Sequence, residues 1–446
     1  MARWWKKEHA WFIALGIFFA IFGTYGGCRA ILRARVNKEL AAIRAMGYPA
    51  TPEELIAAYS SPLPGENAAP LYLQAFQRMV ADPTEKLPIV SGDFPPPGEP
   101  LPEDTRAAIT KHLAANKQAL QLLRDAVTIE QCRYPLSFTR PLYNMCMLHL
   151  AHIRADVRLL ALETIATAEA KDSQGTVGCM KACLAVSRSL EQEPILISQL
   201  VRIACDVICA RAMQNALSSC QLTDEQCRTL SQDFARHEDS KGFAIGMAGE
   251  ACFGVDAFDM PAAARGGPPG LPFLSTWLHK TAWTLYKLVG LSDANEQAYL
   301  KHMRRCIEIC HLPEQQRLGA TKELSANLER LPRLYVVSQI LCWPVDRTVT
   351  NDFMGKAYLR AARTALAVER YRLAHDKLPG ALDELVPEFL DALPKDPFDG
   401  KPLRYKTLEK GYIIYSIGPD GKDDGGKQKP EGKQEGPDDI TFTVAR

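Results

Sequence analysis

Residues Phe353–His375 read FMGKAYLRAARTALAVERYRLAH, and their reading decides the fold. Tyr358, Ala362, Ala365, Leu366, Val368 and Leu373 recur at helical spacing, which predicts one long helix with a packing stripe. Lys377-Leu-Pro-Gly380 ends it, because Pro and Gly cannot continue the pattern. A short helix is expected at Ala381–Val386, followed by the turn-rich stretch Leu393-Pro-Lys-Asp-Pro-Phe-Asp-Gly400. Three strands are expected next, at Leu403–Thr407, Tyr412–Ser416 and Ile440–Val444. The first two close as a hairpin around Leu408-Glu-Lys-Gly411. Alternation of Tyr412, Ile414 and Ser416 against Ile413 and Tyr415 gives the sheet one face to lay on the long helix.

Working toward the N-terminus, helical punctuation dominates. Thr51-Pro-Glu-Glu54 places a capping hydroxyl, a proline and two acids at a helix start. Leu222-Thr-Asp-Glu-Gln226 supplies another start. Apolar residues recur at helical spacing over Arg106–Val127, Tyr143–Ala170, Val177–Leu190, Ile195–Leu217, Asp224–His237, Ala294–Cys310 and Leu318–Leu328. Tyr143–Ala170 and Val177–Leu190 read as a helical hairpin around Lys171-Asp-Ser-Gln-Gly175. It is similar to one unit of a tetratricopeptide-type array, although no 34-residue period extends over the rest. A plain bundle and a helical repeat both remain open. Residues 85–105 read as a surface connection. Pro272–Leu291 suits either a core helix or a surface-lying amphipathic one.

At the N-terminus, Ala10–Gly27 (AWFIALGIFFAIFGTYGG) carries no charge. It is near the lower length limit for a bilayer span. Trp4, Trp5, Trp11 and Tyr25 stand at its ends, an arrangement favoured at lipid–water boundaries. The expectation is a single membrane helix over residues 1–28, retained in a bacterial inner membrane with the soluble part periplasmic. Basic residues on both flanks (Arg3, Lys6, Lys7; Arg29, Arg33, Arg35, Lys38) leave orientation open, and a cleaved signal or lipidation at Cys28 are alternatives.

Lys plus Arg number 53 and Asp plus Glu 52. That balance gives no electrostatic case for nucleic acid. No phosphate loop, GxSxG or HExxH motif is present, and no small-molecule substrate is indicated. Among the 13 cysteines, Cys179/Cys183, Cys205/Cys209 and Cys306/Cys310 are spaced four apart. Their apolar neighbours favour core packing over zinc. In the run Cys146-x2-His149-x2-His152-x3-Asp156, His149, His152 and Asp156 would share one helix face and could ligate a transition metal, or simply border the core. Glu250, in the apolar run AIGMAGEACFGVDAF, is either a raised-pKa acid–base group or a buried partner of a facing Arg.

The C-terminal hundred residues resemble the soluble domain of the type II secretion major pseudopilin. The matching stretches are Ala367-Val-Glu-Arg-Tyr-Arg-Leu-Ala-His-Asp-Lys-Leu-Pro379, Leu382-Asp-Glu-Leu-Val386, Leu393-Pro-Lys-Asp-Pro397, Gly400-Lys-Pro-Leu-Arg-Tyr405, Tyr415-Ser-Ile-Gly-Pro-Asp-Gly421 and Asp438-Asp-Ile440. A wider group of bacterial membrane-anchored proteins with a helical middle and this tail is similar too. The resemblance implies a calcium loop before the last strand. Its carboxylate ligands would be Asp420, Asp438 and Asp439, with backbone carbonyls near Ile417 and Pro419. A hard cation needs several oxygens in a flexible, glycine-bearing loop. The charged stretch Lys427–Pro437 is longer than the family's, and the family's processing site and early helix Glu are absent here.

The expected architecture is therefore mainly α, with an anchor at 1–28, a helical-bundle or helical-repeat body at 29–350 and an α+β pseudopilin-like domain at 351–446. The expected function is non-enzymatic: a membrane-anchored interaction protein with a calcium-stabilised C-terminal domain. The alternatives are an accessory component or adaptor of a type II secretion or pilus-like system, with cell-envelope or secretion proteins as partners, and an enzyme using Glu250 or His149/His152.

Overall fold

The computed structural model describes the chain apart from residues 1, 64, 81–86, 90–93, 141, 143–144, 239–240, 260–280, 282–283 and 428–437. In chain order the helices are α1 (Ala2–Ala45), α2 (Pro52–Ala58), α3 (Ala69–Arg78), α4 (Glu103–Ala115), α5 (Lys117–Ala126), α6 (His149–Glu169), α7 (Ser173–Arg188), α8 (Leu196–Ser219), α9 (Asp224–Glu238) and α10 (Gly242–Asp259). They continue as α11 (Leu291–Cys310), α12 (Glu314–Glu329), α13 (Val336–Leu341) and α14 (Asp346–His375). Strands β1 (Arg404–Leu408), β2 (Gly411–Ser416) and β3 (Ile440–Val444) form one antiparallel sheet in the order β1-β2-β3.

Local chemistry sets several of these boundaries. Thr51 Oγ1 accepts from the Glu54 amide and starts α2. At α9, Thr223 Oγ1 accepts from Gln226 N at 3.3 Å while Gln226 Oε1 accepts from Thr223 N at 2.9 Å, a reciprocal box that satisfies two orphan donors. In the α6–α7 hairpin, Asp172 caps α7 by accepting from Gly175 N at 2.9 Å. A Cβ on Gly175 would lie 2.3 Å from that carboxylate, so a larger residue there would have to shift the Asp172 side chain. The helix expected over Arg106–Val127 is instead broken at Asn116. This buried amide accepts from Val80 N at 2.8 Å and donates to Val80 O at 3.1 Å, tying the break to the chain after α3.

The predicted single span is corrected. Among the described residues no helix is long and apolar enough to cross a membrane, and the inner-membrane, single-pass placement and the transmembrane element of the fold class fall with it. The apolar run Ala10–Gly27 does not end as a separate segment near residue 28. It is one part of the uninterrupted α1, whose basic second part belongs to the protein core. Val36, Leu40 and Ile43 are buried there. Arg29 pairs with Asp293 at 3.3 Å, Arg33 with Glu296 at 3.0 Å, and the Tyr25 hydroxyl donates to the Leu288 carbonyl. These polar bonds fix the C-terminal end of the apolar run to α11 and the residues before it.

Two apolar clusters make up the interior. One joins α3, α5 to α9, the later part of α14 and the sheet. The other joins α1, α10 to α12 and the start of α14, including Val349 and Phe353. Helix α14 thus belongs to both. It is buried on more than the predicted stripe, since Ala357, Leu359, Ala361 and Ala367 are covered as well as Ala362, Ala365, Leu366 and Val368. The sheet lies on it as expected. Tyr412, Ile414, Phe442 and Val444 are fully buried, and the Tyr412 hydroxyl donates to Glu369 Oε1 at 3.0 Å. The outer edge of β3 is closed by α8 side chains: Thr443 N donates to Gln214 Oε1 and Ala445 N to Ser218 Oγ.

Candidate functional site

The loop after β2 is set by an aspartate to which the sequence reading gave no role. Asp396 is fully buried and accepts from Ser416 Oγ at 2.9 Å, Ile417 N at 2.9 Å, Phe398 N at 3.0 Å and Arg404 Nη1 at 2.6 Å. Four donors on one carboxylate make it the anchor of this corner. The one signal in the sequence was an Asp inside the Pro-rich turn, eight residues before an Arg. From there the chain turns through Gly418 at φ +67°. A Cβ at that position would lie 2.0 Å from the Asp438 carbonyl oxygen, so the two loop arms meet backbone to backbone.

The structure does not gather the three predicted carboxylates. Asp420 is exposed, and its Oδ1 accepts from Lys422 N at 3.0 Å. Asp438 donates its backbone N–H to Asp424 Oδ2 at 3.3 Å. Asp439 is buried, and its Oδ2 accepts from Gly426 N at 2.7 Å and Lys427 N at 3.3 Å. Ile417 is buried and Pro419 exposed at the turn. Among the described residues no group of three or more His, Cys, Asp and Glu side chains is placed to hold a metal. Of the expected insertion, 428–437 lies outside the described residues.

One feature of the loop does suit a cation. Among the described residues Asp439 Oδ1, which is buried, has no hydrogen-bond donor. Burial pushes this carboxyl upward, and the negative charge of Asp423 adds to the shift against three opposing backbone donors. Asp423 itself accepts from the Tyr415 hydroxyl at 3.1 Å and from Gly425 N at 3.0 Å.

In the helical body the predicted face separates. Helix α6 starts at His149, so exposed Cys146 is not on it. His149 Nε2 meets Glu193 Oε1 at 2.8 Å and its ring stacks on Tyr134 at 4.8 Å. His152 stacks on Phe76 at 5.2 Å. Asp156 is fully buried, and among the described residues both its oxygens lack donors. Among the described residues Glu250 has no arginine partner. Its Oε1 accepts from Leu196 N at 3.3 Å, the first amide of α8, and burial pushes its carboxyl up to about 7. Pro272–Leu291 lies largely outside the described residues.

The four-spaced cysteines serve packing. Cys183 meets Cys209 of the neighbouring helix, Sγ to Sγ 3.2 Å, and Cys310 donates back to the Cys306 carbonyl. Burial raises most of these thiols, Cys179 to about 12.

Sequence reasoning missed the densest charged assembly altogether, because its members are far apart in the chain. Arg360 of α14 binds Glu238 Oε1 at 2.7 Å, Glu314 Oε2 at 2.8 Å and the Lys395 carbonyl at 2.6 Å. Lys356, one turn earlier, adds Glu314 and Asp352, each at 3.2 Å. These groups line a cavity of about 280 Å³ with Lys241, His311 and Arg317. Deeper in the same region, Asp206 accepts from Ser187 Oγ at 2.6 Å and Arg202 Nη1 at 3.1 Å, with His237 Nδ1 at 2.7 Å.

No family model matches this chain, and comparison with curated proteins and with solved structures gives no match.

Proposed function

We propose that the chain works by binding, as an adaptor in which the helical body and the C-terminal α+β part act as one unit. The observation that carries this is the Arg360 junction. One guanidinium ties α14 to α9, to α12 and to the backbone at Lys395 that leads into the sheet. Its charges are committed to one another, which suits a joint between parts better than a turnover site, where an acid and a base must be free to change protonation. The sequence resemblance of the C-terminal part directs the adaptor toward a secretion or pilus-like system. The test is co-purification of the full-length chain with authentic pseudopilins. Wild type is expected to retain them and Arg360→Met to lose them. A chain that retains none, in cells whose secretion is unchanged by its deletion, overturns the adaptor reading.

A second reading concerns calcium, and Asp439 favours it. Its buried Oδ1 has no donor among the described residues, while Oδ2 is held by two amides. Calcium at that oxygen, with Asp423 and loop carbonyls as further ligands, would supply the missing partner. Thermal melting of the full chain against calcium, with magnesium as control, is expected to show stabilisation in wild type and none in Asp439→Asn. A wild type indifferent to calcium ends this reading.

A further inference from the structure

A second cavity, of about 440 Å³, lies between α3, the extended chain before α6 and the C-terminal end of α7. Its apolar wall is Ala68, Ile129 and Ala185. Its polar groups are what set it apart. Arg188, in the last turn of α7, lines the cavity half-buried. Among the described residues its guanidinium has no carboxylate, carbonyl or hydroxyl partner. The C-terminal end of a helix favours a cation nearby, which accounts for the charge and leaves five N–H donors unmet. Tyr72, 2% exposed, also lines the cavity, and its hydroxyl likewise has no partner among the described residues. Burial pushes this phenol upward, and the nearby Arg188 opposes the shift. Arg133 adds an Nε that is buried and unsatisfied.

Arg360, Arg202 and Arg404 are each held by a nearby carboxylate. Here Glu130 and Glu191 line the same cavity, yet neither comes within ion-pair distance of Arg188. A planar fork held unpaired beside a free hydroxyl and an apolar wall matches an oxyanion on an apolar body. The two flanking carboxylates disfavour a doubly charged head.

We propose that this cavity binds a small monocarboxylate with an apolar or aromatic body, its carboxylate on Arg188 and Tyr72. The proposal does not depend on the adaptor reading or on the loop after β2.

The test uses the full-length chain and three probes at matched ionic strength: benzoate, neutral benzamide and inorganic phosphate. Thermal melting and calorimetry are read together. Benzoate is expected to raise the melting point saturably and to bind at least about tenfold more weakly to Arg188→Gln, with a smaller loss in Tyr72→Phe and in Arg188→Lys, which keeps the charge but not the fork. Arg188 is half-buried at a helix end, so its variants are expected to keep the wild-type melting point without ligand. Equal effects of benzoate and benzamide, equal binding by Arg188→Gln, or no effect of benzoate overturn the proposal. A response to phosphate alone overturns the carboxylate assignment.

Discussion

Asp156 and Asp206 are both fully buried carboxylates on neighbouring helices, and their surroundings treat them oppositely. Asp206 sits among Ser187, Arg202 and His237. Burial pushes its carboxyl up, but the His237 ring and the other donors outweigh that and hold it below the usual range. Asp156 has no donor among the described residues, and burial alone pushes it well above the usual range. One is an ionised hub that locks α7, α8 and α9 together. The other is pushed by burial toward its neutral form. Residue type and depth are the same in the two cases, so the donors brought by other helices decide the charge state.

The strongest way to break this comparison is Asp206→Ala. It strands Arg202 and His237 in the core, so a loss of about 3–5 kcal/mol is expected in denaturant unfolding. A small loss would show that the hub is ornamental.

Glu250 lies between the two extremes, with one donor, and pH sharpens its place. Its folded value near 7 stands above its usual 4.5. The native state therefore holds the proton more tightly, and this group's contribution to stability falls as pH rises from about 4.5 to 7. The span corresponds to about 3 kcal/mol. Glu250→Gln keeps the acceptor for Leu196 N and is expected to flatten that part of the stability–pH curve. A variant curve parallel to wild type contradicts the assignment.

Thr223→Ala removes one side of the α9 capping box and is expected to cost about 1 kcal/mol, read as a lower denaturation midpoint. The smallest effect is assigned to Asp156→Asn at pH 7. Loss of a protonation penalty and gain of an unpartnered amide offset each other, leaving a change under about 1 kcal/mol. A loss as large as that of Asp206→Ala would erase the distinction between the two aspartates.

Much of the fold was legible because its signals are local. Thr51, Thr223 and the α6–α7 turn announce themselves within a few residues, and the three strands fall within a residue or so of their expected bounds. The failures share a cause. The break at Asn116 depends on Val80, the bond of Glu250 on the start of α8, and the Arg360 junction on Glu238 and Glu314. None of these partners lies within one helical turn of the residue it serves. The same holds for α1, where an apolar run suggested a lipid-facing span while the pairing of Arg29 and Arg33 with Asp293 and Glu296 became visible only in three dimensions. The candidate calcium ligands Asp438 and Asp439 were adjacent in sequence, but their bonds, to Asp424 in one case and to Gly426 and Lys427 in the other, come from the far arm of the loop. The unpaired Arg188 had no sequence signature, because an arginine at a helix end is ordinary until its surroundings are seen.

Helix α14 has a consequence for how the chain is made. Its 30 residues extend about 45 Å and supply buried side chains to both apolar clusters, and β3 then covers α8 and α14. During synthesis the apolar faces of α8 and α9 leave the ribosome before α14, which covers them, exists. The nascent chain must keep those surfaces from other chains until residue 444 has been added, because folding domain by domain from the N-terminus is closed to it. Ribosomes paused before α14 should hold an aggregation-prone chain that engages trigger-type chaperones, and release of the last hundred residues should end that engagement.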